Sequence, residues 1–131
     1  MVDVTLDRLL ELQDQAETAY KIIVEELKRD SIEAKLIQAF IYPDIKTVGV
    51  KGDSRVYQYP LFVNVLKQDG TPYFDYDFFR RISKRITSEV EEITRVVVAV
   101  GDRNSSNRRT NADVDHEMEN LTLYYGEEKH L

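Results

Sequence analysis

Four cations, Arg80, Arg81, Lys84 and Arg85, sit at one-, three- and four-residue spacings, so a helix through them gathers positive charge on one side. Such a side can hold an anion, but its ordinary use is a solvated face with local ion pairs, and that is the reading adopted. A second group, Asp113, Asp115, His116, Glu117 and Glu119, has hard-metal ligand types. Its spacing matches no EF-hand and it lacks the glycine that such a turn needs, so it reads as a solvated acidic loop and no metal ligand is assigned. The chain has no cysteine, hence no disulfide, thiolate zinc site or cysteine nucleophile, and its histidines are His116 and His130. No catalytic residue and no cofactor is expected. Tyr57, Tyr59, Tyr73 and Tyr76 have the apolar body and polar tip favoured in a core or at a subunit interface.

Positioning falls to a simple series of elements. Thr5 is an N-cap for a helix carrying Leu6, Leu9, Leu10, Ala16, Tyr20, Ile23, Val24 and Leu27 as one apolar stripe, closed by Lys28 and Arg29. From Leu36 the period becomes two, and Pro43 and Asp44 predict a bent or bulged first strand that resumes at Ile45 to Val50. Gly52 and Asp53 form the reversal of a hairpin whose second strand alternates Tyr57, Tyr59, Leu61, Val63 and Val65 with more mixed residues. Asp75 or Asp77 then caps a helix bearing Phe78, Phe79, Ile82, Ile86 and Val90. Thr94 to Val100 is a β-branched run suited to the middle of a sheet, residues 101–120 read as a long polar loop, and Leu121 to Tyr125 is a last strand. The expected fold is an α+β two-layer sandwich, helix, two strands, helix, two strands, with a mainly antiparallel sheet. Its uncovered face must be polar or meet a second copy, which predicts a homodimer.

With 131 residues, 42% of them hydrophobic, the chain suits one domain spanning 1–131. Eighteen basic against twenty-four acidic side chains give a net charge of -6, which repels phosphate at long range and argues against a nucleic acid partner. Gly49-Val50-Lys51-Gly52 fits the Gly-x-x-Gly of RNA-binding KH domains, but that loop joins two helices and this one joins two strands. The opening residues show no basic leader before an apolar block, and no apolar run reaches membrane-span length, so a cytoplasmic protein without membrane attachment is expected.

The stretches LIQAFIYPDIKTVGVKGDSRVYQYPLFV and DGTPYFDYDFFRRISKRITSEVEEITRVVV carry a family likeness. Its points are Gln38-Ala39-Phe40, Val48-Gly49-Val50 with Gly52-Asp53, Arg55 and Tyr57, Asp77-Phe78, Ile82-Ser83, Arg85-Ile86, Glu89-Val90 and Arg95-Val96-Val97. From about Leu10 to Val98 the chain resembles the C-terminal dimerisation domain of glutamine-hydrolysing GMP synthetase. The resemblance implies two-fold dimers and a contribution to a pocket for xanthosine monophosphate, XMP. It implies Lys51 and Arg95 as phosphate contacts, since an ammonium and a forked guanidinium suit a dianion. Gly49, Gly52, Asp53 and Arg55 are then hairpin residues.

The family's Ser-Gly-Gly-x-Asp-Ser phosphate loop and its Cys-His-Glu glutaminase set do not occur in this sequence. The chain is therefore expected to be non-catalytic alone, a dimerisation and XMP-binding module of GMP biosynthesis that works with a separate ATP-pyrophosphatase subunit. The alternative is a structural or regulatory homodimer that has lost nucleotide binding. Where the family closes with Lys-Pro-Pro and a tryptophan-bearing acidic strand, this chain has Ser105 to Asn120 and Leu121 to Glu128, with Arg103, Arg108 and Arg109 nearby.

Overall fold

In the computed structural model, which describes residues 5–52, 54–102 and 121–126, Thr5 Oγ1 accepts the Arg8 amide at 3.1 Å and starts helix α1 (Leu6–Arg29). This satisfies one of the otherwise unpaired first-turn donors. The helix ends with Ser31 in the left-handed region, φ 57°. There the Ser31 amide reaches Lys28 O and the Ile32 amide reaches Leu27 O, a Schellman closure without glycine. Helix α2 (Tyr76–Glu89) is capped by Asp75, whose carboxylate accepts the Phe78 amide at 2.9 Å, so of the two candidate caps it is Asp75 that acts.

Among the described residues five strands follow the expected order: β1 (Ala34–Phe40), β2 (Thr47–Lys51), β3 (Ser54–Lys67), β4 (Ile93–Asp102) and β5 (Leu121–Gly126). The bent first strand resolves into β1 and β2, separated by the Pro43–Asp44 segment and both paired with the long β3. β1 and β2 run antiparallel to β3, with Phe40 opposite Phe62 and Val48 opposite Tyr57. β4 is parallel to β3, because α2 carries the chain back between them, and β5 is parallel to β4. The sheet is thus mixed, in the order β1-β3-β4-β5 with β2 on β3, and β4 is interior as its sequence suggested. Gly101 and Asp102 belong to β4. The rest of the expected polar loop, and Asp53, lie outside the described residues.

Both helices cover one face of the sheet, giving the α+β two-layer sandwich. Phe78, Phe79, Ile82 and Ile86 of α2, with Ile23 and Leu27 of α1, pack on Leu61, Val63, Val65, Val96 and Val98. The α1 stripe differs from expectation. The buried side is Leu12, Ala16, Ala19, Ile22, Ile23 and Leu27, whereas Leu6, Leu9, Leu10 and Tyr20 are exposed. The eight apolar positions span more than one helix face, and among the described residues α1 packs against the sheet and α2. Among the described residues no helix is long and apolar enough to cross a membrane.

Candidate functional site

Lys51 ends β2, and in a strand it shares its side with Gly49 rather than with Val48 and Val50. That side faces the end of α2, whose last turn has no basic residue of its own. Lys51 Nζ donates to Thr87 O at 2.5 Å and to Val90 O at 3.0 Å, so the hairpin supplies the cation that the helix carbonyl end favours. Burial pulls the ammonium below its ordinary pKa of 10.5, and Glu91 partly offsets this. Lys51 lines an open depression of about 620 Å³ together with Lys84, Thr87, Ser88, Glu89 and Glu91.

Arg95 is not in that lining. It lies in β4 opposite Pro60, and its Nη2 donates to Val48 O at 3.4 Å. Both expected phosphate contacts therefore attach to β2 or extend from it, Lys51 as its last residue and Arg95 through Val48 O.

The hairpin residues have clear local reasons. A Cβ on Gly49 would lie 2.3 Å from Thr94 O and 2.7 Å from Thr94 Cβ, so only glycine lets β2 approach β4 this closely. Thr94, fully buried there, is held by Thr47 Oγ1 at 3.1 Å and donates to Tyr59 O at 3.2 Å. Gly52 turns with φ +63° between the paired Lys51 and Ser54. Arg55 is exposed and pairs in the ladder with Val50.

Two cations of the basic side of α2, Arg81 and Arg85, are engaged with carboxylates. Arg81 reaches Glu26 at 2.9 Å and Asp30 at 2.7 Å, and Arg85 reaches Glu25, Glu26 and Glu89 at 2.6 to 2.9 Å. Burial pushes the Glu26 carboxyl up, but hydrogen bonds from Arg81 and Arg85 outweigh it and hold its pKa below the ordinary value. The tyrosines sit in different surroundings. Tyr59 is buried under Arg8 and Lys46, Tyr73 packs on Phe78 and Phe79, and Tyr57 stays exposed. Sequence reasoning missed Glu26, although a signal existed: an acidic residue between Ile23 and Leu27 on the buried side of α1 needs a cationic partner.

The face opposite the helices is the other apolar surface. Leu36 and Phe40 of β1 are exposed there, next to Phe62 of β3 and Val97 and Ala99 of β4. The rings of Phe40, Tyr42 and Phe62 form a triangle with centroids 5.2 to 5.8 Å apart. Beside it, Gln38, Phe40, Phe62, Asn64, Val97 and Ala99 line a depression of about 220 Å³.

Residues 25–107 match the family described as the GMP synthase C terminal domain. The chain belongs to the GMP synthase C-terminal domain family. It is 39% identical over 88 residues to one of the separate subunits of the glutamine-hydrolyzing GMP synthase of Methanococcus vannielii, covering 63% of this chain and 28% of that protein. With the corresponding polypeptide of Methanocaldococcus jannaschii, again named as one subunit of the enzyme, the identity is 36% over 91 residues, 65% of this chain and 29% of that protein. With the glutamine-hydrolyzing GMP synthase of Blochmanniella pennsylvanica it is 34% over 88 residues, 63% of this chain and 17% of that protein. The chain thus spans under a third of the length of these relatives, and the match associates it with GMP biosynthesis. Within the family segment fall Lys51, Arg95, the hairpin and the open sheet face, while residues 6–24 of α1 precede it.

Proposed function

We propose that this GMP synthase C-terminal domain is a non-catalytic assembly module that forms a homodimer through the open face of its sheet. The observation that carries the reading is the aromatic triangle of Phe40, Tyr42 and Phe62, set beside Val97 and Ala99 on the face that neither helix covers. A contiguous apolar face of this kind favours burial against a second surface, at about 25 cal/mol for each Å² removed from water. The β1 edge is less suited to pairing, because the register shifts between Ala34 and Leu36 and leaves Lys35 as a charged irregularity on that edge. Sedimentation of the wild-type chain and of Phe62→Asp tests the reading. A fall to half the wild-type mass with unchanged helix dichroism supports it, and an unchanged mass contradicts it.

XMP, the nucleotide implied by the family likeness, would meet Lys51 and Arg95 in this reading, in company with a separate ATP-pyrophosphatase subunit. A phosphate must then draw the Lys51 ammonium away from two helix carbonyls, in a depression that Glu89 and Glu91 also line. That same geometry favours a second reading, a homodimer whose Lys51 is structural and which binds no nucleotide. Calorimetric titration with XMP separates them. Heat that is lost in Lys51→Met and in Arg95→Met supports the first, and absence of heat with and without a pyrophosphatase subunit supports the second.

A further inference from the structure

The side of α1 turned away from its buried residues is ordered, with four apolar positions and two polar ones. Leu6, Leu10, Gln13, Glu17, Tyr20 and Val24 follow one another at alternating steps of four and three, the spacing of a coiled-coil seam. Leu6 is 70% exposed and Leu10 50%. This seam lies away from α2, since α1 meets α2 through Glu25, Glu26 and Asp30. Along one flank of it run Asp7, Asp14, Lys21 and Lys28, each seven residues from the last and all exposed. Among the described residues none of these four takes part in an ion pair. The flank is acidic in its first half and basic in its second.

We propose that this seam is a second self-association surface, on which α1 of one copy lies antiparallel to α1 of another with the two Glu17 side chains at the two-fold axis. The charges choose both occupant and direction. Parallel helices would set this flank against Leu9, Ala16 and Ile23 of the second copy and leave Asp14, Lys21 and Lys28 without partners. Antiparallel helices centred at residue 17 bring Asp7 within one position of Lys28 and Asp14 within one position of Lys21 of the second copy, in reach of their long side chains and twice over by symmetry. The same register sets Leu10 opposite Val24 and brings the Gln13 amide within one position of the Tyr20 hydroxyl of the second copy. Its weak point is the pair of Glu17 carboxylates at the axis, so the contact is weaker than an all-apolar seam. The seam falls in residues 6–24, ahead of the segment 25–107 that matches the family.

Sedimentation of four chains tests the proposal: wild type, Lys21→Asp, the swap carrying Asp14→Lys with Lys21→Asp, and Glu17→Gln. Lys21→Asp weakens self-association by roughly tenfold, the swap restores it, and Glu17→Gln strengthens it. In this cysteine-free chain, Glu17→Cys gives a disulfide-linked dimer under mild oxidation, whereas the exposed control Glu33→Cys does not. All these changes leave the sheet face intact. If pairing by that face fails while this seam holds, the wild type is a dimer and Lys21→Asp a monomer. Equal masses for wild type, Lys21→Asp and the swap, or no cross-link at residue 17 beyond that of the control, overturn the proposal.

Discussion

Lys51 Nζ donates to Val90 O at 3.0 Å, which ties the tip of the β2–β3 hairpin to the final turn of α2. The two residues stand 39 positions apart, so neither hairpin nor helix end is complete without the other. A cation here meets the partial negative charge of the helix terminus, and two of its three donors are used.

Replacement of Lys51 by methionine keeps the apolar stem and removes both hydrogen bonds. The expected loss is about 1 to 2 kcal/mol, read as a lower urea midpoint at unchanged slope. Hydrogen exchange at the Val90 and Glu91 amides should rise in step, because the last turn of α2 loses its anchor. An unaltered midpoint would show that water serves those carbonyls equally well.

Gly49 and Gly52 are three residues apart and should respond differently. Alanine at 49 must displace the Thr94 backbone, since the clash is with a carbonyl oxygen, and about 2 to 4 kcal/mol of destabilisation is expected. Alanine at 52 meets no atom within 4 Å and costs only the left-handed backbone, about 1 kcal/mol. Thermal melts of both variants check the ranking, and equal shifts would refute the close approach of β2 to β4.

Glu26 joins α1 to α2 through Arg81 and Arg85. Because its folded pKa lies below the ordinary 4.5, its contribution is present in full above that value. It is lost as pH falls through the lower folded value. The stability gap between wild type and Glu26→Gln should therefore be flat near neutrality, at about 2 kcal/mol, and close in acid below about pH 4.5. A gap independent of pH down to unfolding would remove the ionised carboxylate from the interaction.

The parts that could be read from the sequence are those decided locally. Thr5 and Asp75 announce their helices because a capping side chain bonds an amide three residues on. The Pro43–Asp44 break and the Gly52 turn are likewise backbone properties of single residues. The parallel pairing of β4 was hidden, since alternation in β3 and the β-branched run of β4 look the same whichever way a neighbour runs. Lys51 and Arg95 were picked out by family likeness, yet their contacts lie 36 to 47 residues away in sequence, where no spacing rule applies. The exposure of Leu6, Leu9 and Leu10 was equally illegible. Period shows that a residue is apolar at helical spacing, but only packing shows which face another element covers.

Whether the open sheet face joins two copies is decided most directly by the solution mass of wild type beside Phe62→Asp at equal concentration. The wild type should sediment at twice the 15.3 kDa chain mass or above, and Phe62→Asp at half the wild-type value with its helix content retained. A wild type that sediments as a single chain, or a folded Phe62→Asp with the wild-type mass, contradicts the proposed dimer.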